Sequence, residues 1–471
     1  MLWVILALVL YIVPIAVVVI LEYSRPHKAI TWIVILLMVP LIGTLLYIFM
    51  GKEYKRGRTD DPNELDQLKQ VKQRLSDRFR TQRTKEGPAP FDFPEERIYS
   101  LLEHSTAIPP AYGNETTVYT EGEDAFADML RDIESAQSHI HLEFYIIRED
   151  ALGFRVQQLL YRKAREGVKV RLIYDGIGCH KLSKSYIRRL EEAGVETGCF
   201  LPPWLSFFNR SLNYRNHRKI VVVDGKIAYF GGLNIGDEYL GKDPKVGHWR
   251  DTHFRIEGDA ALWVQYTFLT DWYFVKNELL SDPDFYPLQE SKGSECIQIV
   301  KSGPDEPIFE TVFSCLISAK RRLYIETPYF VLEPAIFLAL KTAAASGVDV
   351  RVILPANPDS RIVYLASLSF VEELLEAGVR FYLYEQGFIH AKVIIVDDLA
   401  CSGSANMDIR SFFGQFELNA LFFDGKTVDR LVRDFYRDIS VSKEIDLARF
   451  QKRPQSQKCK EAAARLFSPL F

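Results

Sequence analysis

Two short stretches of the chain carry residue types able to work on a phosphodiester. The first reads Asn216-His-Arg-Lys-Ile-Val-Val-Val-Asp-Gly225 and is followed by Gly231-Gly-Leu-Asn234. The second reads Ile389-His-Ala-Lys-Val-Ile-Ile-Val-Asp-Asp398 and is followed by Gly403-Ser-Ala-Asn406. Both contain His-x-Lys-x4-Asp, at His217, Lys219 and Asp224 and at His390, Lys392 and Asp397. Average residue usage yields one such match by chance in roughly a few per cent of chains this long, so two with the same Gly-x-x-Asn tail are not accidental. On an apolar strand, a histidine and a lysine two positions apart emerge on one face. Two lysines would supply fixed positive charge for non-bridging phosphate oxygens, and Asn234 and Asn406 would add donors. One imidazole can attack phosphorus while the other, protonated, hands a proton to the departing alcohol. No HExxH, paired-Cys or clustered-acid motif is present, so neither a metal nor a cofactor is expected.

The elements that must hold these residues are duplicated as well. Ile140-His-Leu-Glu-Phe-Tyr-Ile146, a helical run ending near Gly167, and Val168-Lys-Val-Arg-Leu-Ile-Tyr174 form one statement. Leu323-Tyr-Ile-Glu-Thr-Pro-Tyr329, a helical run ending near Gly347, and Val348-Asp-Val-Arg-Val-Ile-Leu354 repeat it. Strands alternating with helices argue an α/β architecture built by internal duplication. Packing the two halves together brings two His, two Lys and two Asn to one cleft, each on a rigid apolar strand.

These motifs resemble the phospholipase D superfamily, in which two such stretches sit in a bilobal fold; the similarity spans about residues 115–471. The resemblance implies two pseudo-symmetric lobes of mixed sheet flanked by helices, with His217 as nucleophile and His390 as general acid. The pseudo-symmetry also admits the reverse assignment. Lys219, Lys392, Asn234 and Asn406 match the phosphate-binding positions, with Ser404 as a helper. Asp251 and Glu417 match the acids that orient the histidines. Asp224 and Asp397 are kept with the catalytic set as motif members, although their character in the family is more structural than chemical. Gly231-Gly-Leu-Asn-Ile-Gly-Asp-Glu-Tyr239, Trp249-Arg-Asp-Thr-His253, Gly403-Ser-Ala-Asn-Met-Asp-Ile-Arg-Ser411 and the closing Ala464-Arg-Leu-Phe-Ser-Pro-Leu-Phe471 are similar to the bacterial cardiolipin synthase branch. Gln415 departs from that branch, where Asn is expected before Phe-Glu. The implied reaction joins two phosphatidylglycerol molecules, releasing glycerol through a phosphatidyl-histidine. A hydrolase, or a transferase using another alcohol, shares the same residues.

The N-terminus adds a second theme. Met1–Leu21 and Ala29–Met50 are uncharged apolar runs separated by a polar, proline-containing break. Each is long enough as one helix to cross a hydrocarbon core about 30 Å thick, which predicts two transmembrane helices over residues 1–50. Pro14 and Pro40 also allow a shallow re-entrant hairpin. Arg25 and Lys28 lie between the runs, whereas Lys52, Lys55, Arg56 and Arg58 follow the second. The larger cluster places the remainder in the cytoplasm, as the catalytic face of a multi-pass protein of the cell membrane. Residues 51–110 form a charged linker in which Leu65, Leu68, Leu75 and Phe79 recur at helical spacing, for docking on lipid or on the globular part. The first lobe is then 111–290 and the second 291–471.

Composition supports this division. Of 471 residues, 48% are hydrophobic and 25% charged, which suits a large folded core. A net charge of −4 argues against a nucleic-acid partner. The expected partners are the lipid bilayer and anionic phosphatidylglycerol; self-association into a homo-oligomer is left open. Six scattered cysteines read as reduced structural thiols. Pro202–Phe208 is an aromatic cluster suited to headgroups or to lobe packing, and Arg210, Arg215 and Arg218 suit anionic lipid or a solvated face.

Overall fold

The computed structural model describes residues 2–23, 26–51, 62–86, 98, 100–101, 104, 108–203, 214–244, 246–303, 308–423 and 425–468. Its frame is one fifteen-stranded sheet whose order runs almost as a palindrome. From the centre outward, the first half contributes Ala111–Tyr119, His253–Glu257, Ile227–Gly231, Lys219–Val223, His139–Phe144, Lys169–Asp175 and Glu196–Phe200. The second half contributes Glu295–Lys301, Leu418–Phe423, Leu399–Gly403, Val393–Val396, Arg322–Glu326, Asp349–Pro355 and Arg380–Tyr384, with Ser442–Glu444 added at its edge. Ala111–Tyr119 and Glu295–Lys301 pair antiparallel and join the halves.

The duplication read from sequence is therefore a duplication of pairing. His139–Phe144 lies parallel to Lys169–Asp175 and antiparallel to Lys219–Val223. Arg322–Glu326 lies parallel to Asp349–Pro355 and antiparallel to Val393–Val396 in the same way. Strands covered on both faces read as unbroken β-branched runs, and Ile220–Val223 and Val393–Val396 are buried throughout.

The Asp of each motif closes the far end of its strand. Asp224 and Asp397 adopt positive φ, 51° and 50°, which a short polar side chain tolerates. The Asp224 carboxylate accepts from the backbone amides of Gln137, Ser138 and His139 at 2.8–2.9 Å. Asp397 accepts from those of Lys320, Arg321 and Arg322 at 2.8–3.1 Å. Both stand at the opposite end of a buried strand from the histidines, in keeping with the structural character that the resemblance gave them. They are ties between a turn and the preceding loop.

The charged linker holds a helix, Pro62–Glu86, and it docks on protein. Leu68, Leu75 and Phe79 are buried, Phe79 meets Trp263 at 5.6 Å, and Arg78 pairs with Asp259 at 3.0 Å.

The N-terminal expectation needs a larger correction. Leu2–Leu21 is one helix, with side chains described from Val9 onward. The second run is broken into Pro26–Met38, Pro40–Leu46 and a wide turn at Tyr47–Gly51. The break follows from Pro40: its ring disfavours helical geometry at the preceding residue, and Val39 is extended at φ −142°, ψ 74°. Pro40 then starts the next helix, where its missing N–H costs nothing. Over the described residues no helix is long and apolar enough to cross a membrane. Arg25, Lys52, Lys55, Arg56, Arg58, the linker at Gly87–Pro90, Trp204–Phe208 and Arg210 lie outside the described residues.

Candidate active site

Each histidine is positioned where the two halves cross. Arg215–Asn216 forms a two-residue parallel bridge with Gln415–Phe416, and the His217 amide donates to the Phe416 carbonyl at 2.9 Å. Phe388–Ile389 pairs in the same way with Trp249–Arg250, and the His390 amide donates to the Arg250 carbonyl at 2.7 Å. The residue after each acceptor carbonyl is a carboxylate, so register alone delivers an acid to each imidazole. His217 Nδ1 faces Glu417 Oε1 and Oε2 at 3.0 and 3.1 Å. His390 Nδ1 faces Asp251 Oδ2 at 2.8 Å. Each pair takes its histidine from one half and its acid from the other. The histidines stand just before the strands, which begin at Lys219 and Val393, rather than within them.

The lysines follow. Lys219 Nζ donates to the His217 carbonyl at 2.6 Å, and Lys392 Nζ to the His390 carbonyl. All six side chains are buried in one electrostatic cluster. Burial pushes His217 down to about 4 against the pull of Glu417, and Lys219 adds to the shift. His390 is lowered by burial and by Lys392, with Asp251 opposing. Burial brings Lys219 down to about 7 and Lys392 to about 8, the carboxylates opposing in both cases. Burial alone would raise the two acids, but the histidines and lysines outweigh it. Asp251 is held at about 2 and Glu417 below the usual carboxylate range. Burial thus works against charge on both histidines and both lysines, while the two acids are held on the ionised side. Such a site gains most from an added anion, which restores the lysine charges.

The remaining expected residues divide. Ser404 Oγ donates to Glu417 Oε2 at 2.6 Å, so it is committed to the acid. Asn234 is engaged at both ends, accepting from the Ile146 amide at 3.1 Å and donating to Tyr239 Oη at 3.2 Å. Asn406 is buried, and its Oδ1 has no hydrogen-bond partner among the described residues. Glycine is required in both tails. A Cβ at Gly232 would fall 1.9 Å from Asp251 Oδ1, and one at Gly403 would fall 2.2 Å from the Leu418 carbonyl oxygen.

Several partners were invisible in the motif spacing. Ser411 Oγ donates to Glu417 Oε1 at 3.0 Å. Trp249 Nε1 and the Thr252 amide donate to the two oxygens of Asp251 at 3.1 and 2.8 Å. Tyr145 meets His217 edge-on at 5.0 Å, and Trp249 meets His390 at 5.1 Å. Their signal was adjacency: Trp249 stands two before Asp251, and Ser411 closes the Gly-Ser-Ala-Asn segment. Gln415 faces Glu417 Oε1 at 2.8 Å through its amide nitrogen, in the orientation that also lets its oxygen accept from Arg410. The departure from Asn therefore keeps a donor at the acid.

Arg215 and Arg218 are not a lipid-facing surface. Both are buried, Arg215 beside Asp175 and Arg218 on Asp271. Arg218 Nε also donates to the Glu417 carbonyl at 3.0 Å. In the other half Arg250 donates to the Asp251 carbonyl, to Thr252 Oγ1 at 3.0 Å and to Asp438 at 2.8 Å. Each orienting acid thus has its backbone held by a buried guanidinium. Tyr329 Oη donates to Asp359 at 2.5 Å, and Tyr384 Oη meets His248 Nδ1 at 3.2 Å.

Residues 129–246 and 312–439 match the family described as cardiolipin synthase, PLD-like domain, and together cover just over half of the chain. The chain belongs to this family. Relatives match over almost the whole length. The cardiolipin synthase of Geobacillus kaustophilus (strain HTA426) is 42% identical over 465 residues, covering 97% of this chain and 91% of that protein. The major cardiolipin synthase ClsA of Bacillus subtilis (strain 168) is 39% identical over 466 residues, covering 97% and 96%. The fold is also similar to phosphatidylserine synthase from Haemophilus influenzae Rd KW20, at a TM-score of 0.62 and 14% identity, over 81% of this chain and all of that one. Each matched segment contains one histidine–lysine pair; Glu417 lies within the second, and Asp251 follows the end of the first.

Proposed function

We propose that the chain is a phosphatidyltransferase that makes cardiolipin from two phosphatidylglycerol molecules, with two lobes dividing near residue 290. The observation that carries the reading is the pair of cross-lobe histidine–carboxylate contacts enclosing two lysines. Lys219, Lys392 and the Asn406 amide receive the non-bridging oxygens of the first phosphodiester. Binding of that anion recharges the lysines and makes an imidazolium opposite it easier to form. His217 Nε2, neutral at neutral pH, attacks phosphorus; His390 gives its proton to the glycerol oxygen as the P–O bond breaks. A phosphatidyl-histidine remains. A primary hydroxyl of the second phosphatidylglycerol then gives its proton to His390 and attacks phosphorus, and the P–N bond breaks. One phosphodiester replaces another, so no nucleotide energy source is consumed.

The same reading places the enzyme at the cytoplasmic face of a bilayer, where its substrates are concentrated. Val9, Ile12, Val13, Val19, Ile20 and Leu21 of the first helix are each at least half exposed, an apolar face suited to hydrocarbon. The reading is tested by mass-spectrometric lipid analysis of membranes expressing the chain, with phosphatidylglycerol supplied. Cardiolipin and free glycerol are expected, and neither from His217→Ala or His390→Ala. Phosphatidic acid in place of cardiolipin would make the protein a hydrolase and overturn the proposal.

A further inference from the structure

The second apolar run leaves the base of the N-terminal segment and comes back to it. Lys28, near the start of the Pro26–Met38 helix, donates to the carbonyl of Gly51 at 2.7 Å, although 23 residues separate them. Between these ends the Pro40–Leu46 helix returns against its predecessor. A Cβ at Gly43 would lie 3.1 Å from the Ile35 carbonyl oxygen, and Trp32 meets Tyr47 at 5.2 Å. We infer that residues 26–51 are a re-entrant helical hairpin that dips into one leaflet of the bilayer, leaving Tyr23 on the same side of the membrane as the catalytic lobes.

Polarity is sorted along the hairpin as a leaflet requires. At its base Lys28 pairs with Glu22 at 2.9 Å, Tyr47 Oη donates to Glu22 at 3.2 Å, and Thr31 Oγ1 donates to the Leu466 carbonyl at 2.9 Å. Leu466 ends the helix Gln455–Leu466 of the second lobe, so the base is seated on the globular part. At its tip Leu37, Met38, Val39, Leu41 and Ile42 are 42–71% exposed, with no protein covering them among the described residues. Part of the tip backbone is paired within the hairpin. The Val39 amide donates to Ile35 at 2.9 Å and the Gly43 amide to Val39 at 2.6 Å, which hydrocarbon demands of any turn placed in it. The longer arm has 13 residues, about 20 Å at 1.5 Å per residue, against a core about 30 Å thick. It is long enough for one leaflet and too short for two.

The inference rests on the bilayer reading above and differs from two complete spans at one residue. Two spans put Tyr23, which is 83% exposed, on the face opposite the lobes; the hairpin puts it on the same face. The test uses the full-length chain in cells, with the exposed Cys459 changed to Ser, carrying Tyr23→Cys or Gln70→Cys. Gln70 is exposed on the helix docked to the lobes. A membrane-impermeant maleimide is applied to intact and to permeabilised cells, and membranes are assayed for retention after alkaline carbonate and for cardiolipin. Both variants are expected to label only after permeabilisation. Labelling of Tyr23→Cys in intact cells, or its failure to label at all, overturns the hairpin. Loss of the chain into the carbonate wash would instead overturn the bilayer reading itself.

Discussion

The two halves of the site build the same contact from different materials. Glu417, which receives His217, is held by side chains that rotate: Ser404, Ser411 and the Gln415 amide. Asp251, which receives His390, is held by a ring N–H and a backbone amide, both fixed in direction. Asp251 is also the acid brought down to about 2. Burial nevertheless holds His390 below its ordinary value, as it does His217, so each acid serves first to orient its ring through Nδ1. His217, held at about 4 in the empty site, suits attack. The second difference lies between the lysines. Arg218 precedes Lys219 and ties motif to acid, whereas Ala391 fills the corresponding place before Lys392. Pseudo-symmetry of backbone therefore coexists with two differently built contacts, which the proposed roles of His217 and His390 turn into a division of labour.

That division is easiest to break at the histidines. His217→Ala and His390→Ala should each lower transfer from phosphatidylglycerol by about 10³-fold or more. A phosphatidyl ester of 4-nitrophenol, whose leaving group needs no proton, separates them. His390→Ala should release nitrophenolate in a burst close to that of the wild type, and His217→Ala should release none. Equal loss on this substrate would remove the distinction.

Lys219→Ala or Lys392→Ala should cost about 10²–10³-fold, mainly in kcat/KM, because charge on the transferring phosphoryl group goes unmet. The pH dependence follows from the same residues. With free-site values of about 7 and about 8, the lysines lose their charge as pH rises, so kcat/KM should fall through that window. It should be constant below it as far as the lysines are concerned. Lys219→Arg should move the alkaline limb upward, since a guanidinium keeps its charge. A limb unchanged in both lysine variants would assign it to another group.

The acids come next. Asp251→Asn should reduce turnover of phosphatidylglycerol by about 10²–10⁴-fold yet spare most of the nitrophenyl burst. Glu417→Gln should slow both. Ser404→Ala should be the smallest effect, about 10-fold, since one charge-assisted hydrogen bond to Glu417 is removed and Ser411 remains. An effect of Ser404→Ala as large as that of Glu417→Gln would mean that the hydroxyl touches the substrate.

How much of this was legible before the structure depends on whether a residue acts through local spacing or through a contact between the halves. His217, Lys219, His390 and Lys392 were legible because repetition with a fixed interval is improbable by chance. Asp251 and Glu417 were legible as acids through family resemblance, but the exchange between lobes was not. It is set by the bridges Gln415–Phe416 with Arg215–Asn216 and Phe388–Ile389 with Trp249–Arg250, whose partners lie more than a hundred residues apart. Arg218 looked like a surface cation because its partners Asp271 and the Glu417 carbonyl are distant in sequence. Asp224 and Asp397 kept company with catalytic residues in the motif, yet a strand length removes them from the chemistry. In the N-terminal run hydropathy alone predicted one helix; a single proline divided it.

The most direct test of the account is to find the phosphate in mid-transfer. The chain is mixed with head-labelled [32P]phosphatidylglycerol, quenched under conditions that preserve phosphoramidates, digested and mapped by mass spectrometry. A phosphatidyl group on His217, absent from His217→Ala and chased into cardiolipin by unlabelled phosphatidylglycerol, is the predicted result. Label on His390, or cardiolipin formed with no labelled histidine at any time point, would contradict it.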